Sequence, residues 1–147
     1  MTDNRNSEHY ADPTAAKAIA RCTPRSYTIT IPGRFPDLND MIAQAKRGRG
    51  RYQPYASEKA ANTGLVAWAC QTAHVPRLGR VRLKITWIEP DARRDPDNIS
   101  AAQKYICDGL VMAGVIKDDG QRYMAGISHA WGVDKRNPRV VVEIEEV

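Results

Sequence analysis

The sequence has few of the residues that form cross-links. Its 147 residues include three cysteines, Cys22, Cys70 and Cys107, which are far apart and form no CxxC pair. An odd number of scattered cysteines argues against a disulfide framework and a structural zinc site, and it favours a reducing compartment. The three histidines are equally scattered. We interpret them as solvated or core side chains rather than as metal ligands.

The sequence also lacks a signal peptide and a long apolar run. Its first residues are polar throughout, and nowhere does it contain the stretch of about 18 apolar residues that a membrane helix needs. We therefore expect a cytoplasmic protein with no membrane partner. No internal repeat is visible, and the length suits one domain. We predict a polar, flexible tail at 1–25 and a single domain at 26–147.

Charge is unevenly distributed along the chain. There are 22 basic and 17 acidic residues, for a net charge of +5. Basic residues cluster at 46–51 and 77–84, and acidic residues cluster at 91–97 and 118–119. A basic surface around an acidic pocket suits a metal-dependent nuclease, because lysine and arginine side chains bind the phosphate backbone while carboxylates bind the metal ion.

The hydrophobic periodicity predicts an α+β fold. Alternating apolar residues predict strands at 27–31, 81–87, 123–131 and 139–144. Apolar spacing of three and four residues predicts one helix from Ser57 to about His74 and another from Asp97 to Ala113. The predicted order is β-α-β-α-β-β, and residues 132–138 are expected to join the last two strands as a hairpin loop.

Residues 34–55 are predicted to form a long irregular loop. The loop carries the basic residues Lys46, Arg47, Arg49 and Arg51, followed by Tyr52 and Tyr55. A solvated loop is the ordinary interpretation of so short a basic run. Its length favours a function, because long structureless segments of compact domains are usually functional or disordered. We predict a flexible arm that binds a phosphate backbone while its tyrosines stack on bases.

The densest charge lies at Arg93-Arg94-Asp95-Pro96-Asp97-Asn98. Pro96 biases Asp95 towards an extended conformation, in which residues i and i+2 face the same way. Asp95 and Asp97 could then present both carboxylates to one Mg²⁺ ion, which favours one or two carboxylates together with water and phosphate oxygens. Taken alone, Asp97 and Asn98 would be simple helix caps.

Two further features accompany this motif. Lys104 lies seven residues after Asp97, two turns along nearly the same helix face, where its amine could stabilise charge on a scissile phosphate. Asp118-Asp119-Gly120 follows the helix. Alone, Lys104 would be a solvated residue and the second motif a tight turn. Two acidic motifs that bracket one helix, with arginines beside the first, favour a metal-and-phosphate site.

These elements, in this order, resemble the RusA family of Holliday junction resolvases. The resemblance rests on Arg94-Asp95-x-Asp97-Asn98, a helix lysine, Asp108-x-Leu110-x-x-Ala113-Gly114 and Asp118-Asp119. Upstream, Ile29-Thr30-Ile31-Pro32 with Pro36 and Asn39 resembles the first strand and the proline-asparagine loop of the family. The resemblance covers residues 27–147.

The resemblance implies a homodimeric α+β endonuclease in which a mixed sheet is packed by two helices. Such an enzyme resolves four-way DNA junctions by paired symmetric nicks during recombination and repair. Mg²⁺ would be its cofactor, with Mn²⁺ as a substitute and no small-molecule cofactor. The sequence leaves host and phage or prophage origins open.

The resemblance also implies roles for individual residues. Asp95, Asp97 and Asp119 would be the catalytic acids and metal ligands, Asp118 would assist, and Lys104 would be the essential lysine. The best-known family member carries its lysine at the position of Ala101, so Lys104 matches only if three residues are inserted. The predicted DNA-binding residues are Lys46, Arg47, Arg49, Arg51, Arg93 and Arg94.

Two other functions and one geometric question stay open at this point. The chain could be a non-catalytic DNA-binding protein, or a metal-dependent hydrolase of nucleotides.

A helix from Asp97 to Ala113 would be about 24 Å long. Asp119 would then reach Asp97 of its own chain only if the chain reversed at once. Otherwise it would complete the site of a partner subunit across a two-fold axis.

Overall fold

A computed structural model describes residues 25–147, so nearly all of the predicted N-terminal tail lies outside the described residues. The elements follow the order β1 (Ser26–Pro32), α1 (Leu38–Arg47), α2 (Pro54–Thr72), β2 (Val81–Glu89), α3 (Pro96–Ser100), α4 (Gln103–Met112), β3 (Met124–Val133) and β4 (Arg139–Glu146). The predicted α+β class is confirmed, although residues 25–147 contain four helical segments rather than two. Within this range, no helix has the length and apolar character needed to cross a membrane.

The four strands form one mixed sheet in the order β1-β4-β2-β3. β4 runs antiparallel to both β1 and β2, whereas β2 and β3 are parallel. A parallel pair needs a long crossover connection. The segment that holds α3 and α4 forms this crossover from β2 to β3. One predicted acidic motif lies near its beginning and the other near its end.

The predicted hairpin between the last two strands is wrong. β2 lies between β3 and β4 in the sheet, so these two strands do not pair. The connecting segment passes the end of β2, where the Asp134 N–H donates to the Glu89 carbonyl at 2.8 Å. A loop of this length fits a hairpin equally well, and only the position of β2 excludes one.

The core lies on one face of the sheet. Along β2 the side chains of Val81, Leu83, Ile85 and Trp87 are buried, while Arg82 and Lys84 are exposed on the other face. Helices α2 and α4 cover the apolar face, and they approach each other closely at one glycine. A Cβ atom at Gly109 would collide with the side chain of Val66, so this helix contact depends on glycine.

The long irregular loop predicted at 34–55 is wrong, because it contains α1. Asp37 begins this helix with a reciprocal capping box: its carboxylate accepts from the Asp40 N–H at 2.8 Å, and its own N–H donates to Asp40 at 3.1 Å. An N-cap residue followed by an acceptor three residues later is a recognised helix start. That signal was present in the sequence, with aspartate in place of the usual glutamate.

The basic run is also more ordered than an arm. Lys46 and Arg47 form the last turn of α1, and Arg49 and Tyr52 then exchange two backbone hydrogen bonds at 2.8 and 2.9 Å. Gly50 has a φ of +55° in this tight turn. Tyr52 is 62% exposed, whereas Tyr55 packs against the core. Only Tyr52 is therefore placed to stack on a base.

The single helix predicted from Asp97 to Ala113 is also wrong. It is divided into α3 and α4 by a turn at Ala101 and Ala102. At the end of α4 the chain reverses at once. Gly114 has a φ of +75°, its N–H donates to Val111, and the Val115 N–H donates to Leu110. This pair of bonds is a Schellman motif, which closes a helix on a left-handed glycine.

A network centred on Arg94 anchors the segment that leads into α3. Its guanidinium donates to the Phe35 carbonyl and to Asp40, both at 2.9 Å. It also lies 3.3 Å from Asp37 and 3.6 Å from Glu89. The side chain of Glu89 is only 6% exposed, so its charge needs a cation nearby. Arg94 thus ties the start of α1 to the end of β2.

We predict that Arg94→Met lowers the free energy of unfolding by about 2 kcal/mol, because within the described part of the chain it leaves the buried Glu89 carboxylate with only Arg34, at 3.5 Å. Urea denaturation measures the change. The matched control is Arg93→Met, since Arg93 is 90% exposed and, among residues 25–147, pairs only with Asp91. That change should stay within about 0.5 kcal/mol. Adding Glu89→Gln to Arg94→Met should recover part of the lost free energy of unfolding. Equal stability of Arg94→Met and Arg93→Met would contradict the role of the network.

Candidate active site

One open cleft collects several of the predicted catalytic residues. It has a volume of about 490 Å³ and lies where α3, α4 and the segment before β3 meet. Its lining residues include two carboxylates, one amine and one carboxamide over an apolar floor: Asp97, Ser100, Ala101, Gln103, Lys104, Cys107, Asp119, Met124 and Ile127. Asp97, Lys104 and Asp119 are therefore brought together within one chain.

Lys104 is held between two carboxylates. Its amine lies 3.2 Å from Asp108, one turn further along α4, and 3.8 Å from Asp119. The hydrogen bond and charge of Asp108, with a contribution from Asp119, raise the pKa of Lys104. The amine is therefore cationic at neutral pH and remains half-exposed towards the cleft. Ala101 lines the same cleft but offers no functional group, which favours Lys104 as the lysine of this site.

The extended segment predicted for Asp95 to Asp97 is wrong beyond Asp95, whereas the convergence of both carboxylates on one metal ion stays a prediction. Asp95 is extended, with φ −74° and ψ 145°, and it occupies the N-cap position of α3. Pro96 is the first residue of that helix, so Asp97 lies inside its first turn. Asp97 lines the cleft, whereas Asp95 is exposed beside it and makes no capping hydrogen bond through its side chain.

Asp119 reaches the cleft of its own chain. The break between α3 and α4 and the immediate turn after α4 shorten the distance from Asp97 to Asp119. A single long helix would have kept these two residues further apart. Asp118, the residue before Asp119, is exposed and lies outside the cleft lining. A second subunit is thus not required to bring Asp119 and Asp97 into one site.

The donor set fits a hard divalent cation in part. Within residues 25–147, no three Asp, Glu, His or Cys side chains are gathered tightly enough to hold a metal by themselves. The cleft offers two carboxylates, Asp97 and Asp119, with open space beside them. Mg²⁺ commonly takes one or two carboxylates and fills its remaining positions with water and phosphate oxygens. The residues present therefore suit a metal that binds together with substrate.

Cys107 lines the cleft without the character of a nucleophile. Burial raises the pKa of its thiol to about 11, so the thiol is protonated at neutral pH. Since the thiolate is the reactive form of cysteine, this side chain contributes packing. Covalent catalysis through Cys107 is thereby disfavoured.

The predicted DNA-binding residues differ in availability. Lys46, Arg47, Arg49 and Arg51 are exposed around the turn that follows α1, and Arg93 is exposed beside Asp95. The guanidinium of Arg94 is engaged by Asp37, Asp40 and Glu89. Direct DNA binding by Arg94 stays a prediction, and it would require this network to open.

Gln103 is a cleft residue that no sequence pattern predicts. Gln103 is the first residue of α4 and is hydrogen-bonded to His129 at 3.0 Å. Isolated glutamines and histidines carry no motif, and these two are 26 positions apart. Only the packing of α4 against β3 brings them together.

Comparison with known protein families identifies one that matches this chain. A family model described as endodeoxyribonuclease RusA matches residues 36–145, which is most of the chain. The match includes Arg94 and its three carboxylate partners, both acidic motifs and Lys104. No curated protein matches the chain.

The fold is consistent with this family, and the order of the acidic motifs and the lysine agrees with the resemblance seen in the sequence. Nucleases of the family generally depend on a divalent metal ion and act on branched DNA junctions. The chain belongs to the RusA family of endodeoxyribonucleases, which are Holliday junction resolvases.

Proposed function

We propose that this chain is a Mg²⁺-dependent homodimeric resolvase that cuts four-way DNA junctions by paired symmetric nicks in the cytoplasm. One observation carries the proposal: Asp97, Lys104 and Asp119 line a single cleft in a chain of a junction-cleaving family. Two such clefts related by a two-fold axis would match the symmetry of two cuts.

Asp97 and Asp119 are the proposed principal metal ligands, and Asp95 is a third ligand from the adjacent N-cap position. The availability of Asp95 is supported by its exposure and by the absence of a side-chain capping bond. When bound, the metal supplies Lewis acidity at the phosphodiester and lowers the pKa of water. Mn²⁺ is expected to substitute, since the same oxygen ligands suit it. Asp118 is proposed to assist from outside the cleft.

Lys104 is proposed to stabilise negative charge on the phosphate during cleavage. Its amine is cationic, and Asp108 holds it from the neighbouring turn while Lys59 contacts the same Asp108 at 3.5 Å. A donor fixed before the reaction needs little reorganisation when charge develops. Asp108 is therefore a positioning residue for this lysine.

We predict that Asp97→Asn retains binding to a synthetic four-way junction but loses cleavage in Mg²⁺ by at least about 100-fold, because the amide is a poor ligand for a hard cation. Gel assays of binding and nicking, with linear duplex as the substrate control, measure the two steps. Lys135→Ala, in the exposed loop before β4, is the matched control and should cleave normally. Cleavage by Asp97→Asn at the wild-type rate would contradict the assignment. Junction binding without cleavage by the wild-type protein would favour a DNA-binding role.

Mixed dimers can show whether each cleft is complete within its own chain. We predict that dimers of one Asp97→Asn subunit and one Asp119→Asn subunit do not nick junctions, because each cleft then lacks one of its own carboxylates. Dimers of wild type with Asp97→Asn serve as the control and should nick one strand. Strong nicking by the doubly mutated pair would instead assign Asp119 to the partner's site.

The exposed basic residues around the turn after α1 should determine how strongly junction affinity depends on salt concentration. We predict that replacing Lys46, Arg47, Arg49 and Arg51 by alanine reduces the slope of log affinity against log salt by about 3 to 4, since each phosphate contact contributes about 0.9. Fluorescence anisotropy with a labelled junction measures the slope. The control is Arg82→Ala with Lys84→Ala, which removes two charges from the sheet face away from the helices. An equal change per charge in both variants would contradict a specific role for the turn.

A further inference from the structure

A hydrogen-bonded chain of three side chains ends in the cleft. The Trp87 indole Nε1 lies 2.9 Å from His129 Nδ1, and His129 Nε2 lies 3.0 Å from Gln103 Oε1. The His129 ring is also nearly parallel to the rings of Trp87 and Trp131, at interplanar angles of 15° and 20° and with centroids 6.1 and 6.0 Å away. Trp87 is buried in the core, and Gln103 lines the cleft. The chain thus connects a fixed core residue to the candidate active site.

The chemistry of these groups fixes which atom donates at each step. An indole N–H can only donate, so His129 Nδ1 accepts and carries no proton. The proton of the neutral ring is then on Nε2, which donates to the Gln103 carboxamide oxygen. Burial lowers the pKa of His129, which favours this neutral form. A flipped Gln103 amide would place two donors against each other.

The orientation of Gln103 leaves its amide nitrogen for the cleft. Its oxygen is occupied by His129, so the amide nitrogen, which can only donate, stays available for another acceptor. The nitrogen belongs to a side chain that lines the same cleft as Asp97, Lys104 and Asp119. A neutral, oriented N–H donor beside a cation suits an oxygen of a phosphodiester.

We propose that Gln103 is a substrate-binding residue whose amide nitrogen donates to a phosphate oxygen of the DNA, and that His129 and Trp87 are positioning residues that hold the amide in this orientation. The proposal rests on the proposed function of the cleft. It adds a recognition contact that is separate from the metal ligands and from Lys104.

The test compares Gln103→Leu with Gln71→Leu, an exposed glutamine on α2. Gln103→Leu should lower kcat/KM for junction cleavage by about 10-fold to 100-fold, which is the usual value of one hydrogen bond to a charged group. Gln71→Leu should match the wild type. Cleavage by Gln103→Leu at the wild-type kcat/KM would overturn the inference while leaving the proposed function intact.

A double-mutant cycle tests whether His129 acts through Gln103. His129→Leu alone should lower kcat/KM by about 3-fold to 10-fold, and it should have no further effect when Gln103 is already leucine. Additive losses would overturn the positioning role. Nitrogen NMR of the wild-type protein gives a readout without substrate, because it distinguishes protonated from unprotonated ring nitrogens. A proton on Nε2 at neutral pH is expected, and a proton on Nδ1 would overturn the proposed orientation.

Junction affinity in EDTA separates the two proposals. If the wild type binds junctions without cutting them in Mg²⁺ or Mn²⁺, the proposed catalytic function fails. The inference about Gln103 is then decided by affinity. A loss of about 10-fold in Gln103→Leu would support it, and unchanged affinity would overturn it.

Discussion

The organisation of the site depends on one buried charge and the arginine that neutralises it. Glu89 ends the central strand β2 inside the protein, and Arg94 compensates it while also binding Asp37, Asp40 and the Phe35 carbonyl. An isolated buried carboxylate would be very unfavourable. The ion pair therefore restricts the conformation of the segment between Glu89 and Arg94. Asp95 follows Arg94 directly. The position of the first acidic motif is therefore set by an ion-pair network rather than by the carboxylates that would bind the metal.

The second acidic motif is positioned by backbone geometry instead. The break at Ala101 and Ala102 redirects the crossover, and the left-handed Gly114 reverses the chain immediately after α4. These two features return Asp119 to the amine of Lys104. The break also means that Asp97 and Lys104 lie in two separate helices, α3 and α4, rather than on one continuous helix face.

The cleft combines fixed donors with carboxylates that are not gathered into a tight cluster. Lys104 is held by Asp108, and Gln103 is oriented by His129. Asp97 and Asp119 face open space. A site of this kind would bind a metal ion together with the phosphate, because the phosphate oxygens would supply part of the coordination shell. Family membership identifies the reaction class, and the geometry indicates how this chain would arrange its own side chains around the scissile bond.

The sequence by itself determined the α+β class, the limits of the strands to within two residues and the set of charged residues around α3 and α4. Those features follow from local periodicity, turn chemistry and an ordered motif. It did not determine the position of β2 between β3 and β4, the division of the predicted helix, or the engagement of Arg94. It also did not reveal the contact between His129 and Gln103. Each of these depends on residues distant in sequence that meet only when the sheet forms. The signal for α1 was local, but its capping box carries aspartate in place of the usual glutamate. Tertiary structure alone decided that Asp97, Lys104 and Asp119 share one cleft, because only the strand order and the reversal at Gly114 return the chain to that point.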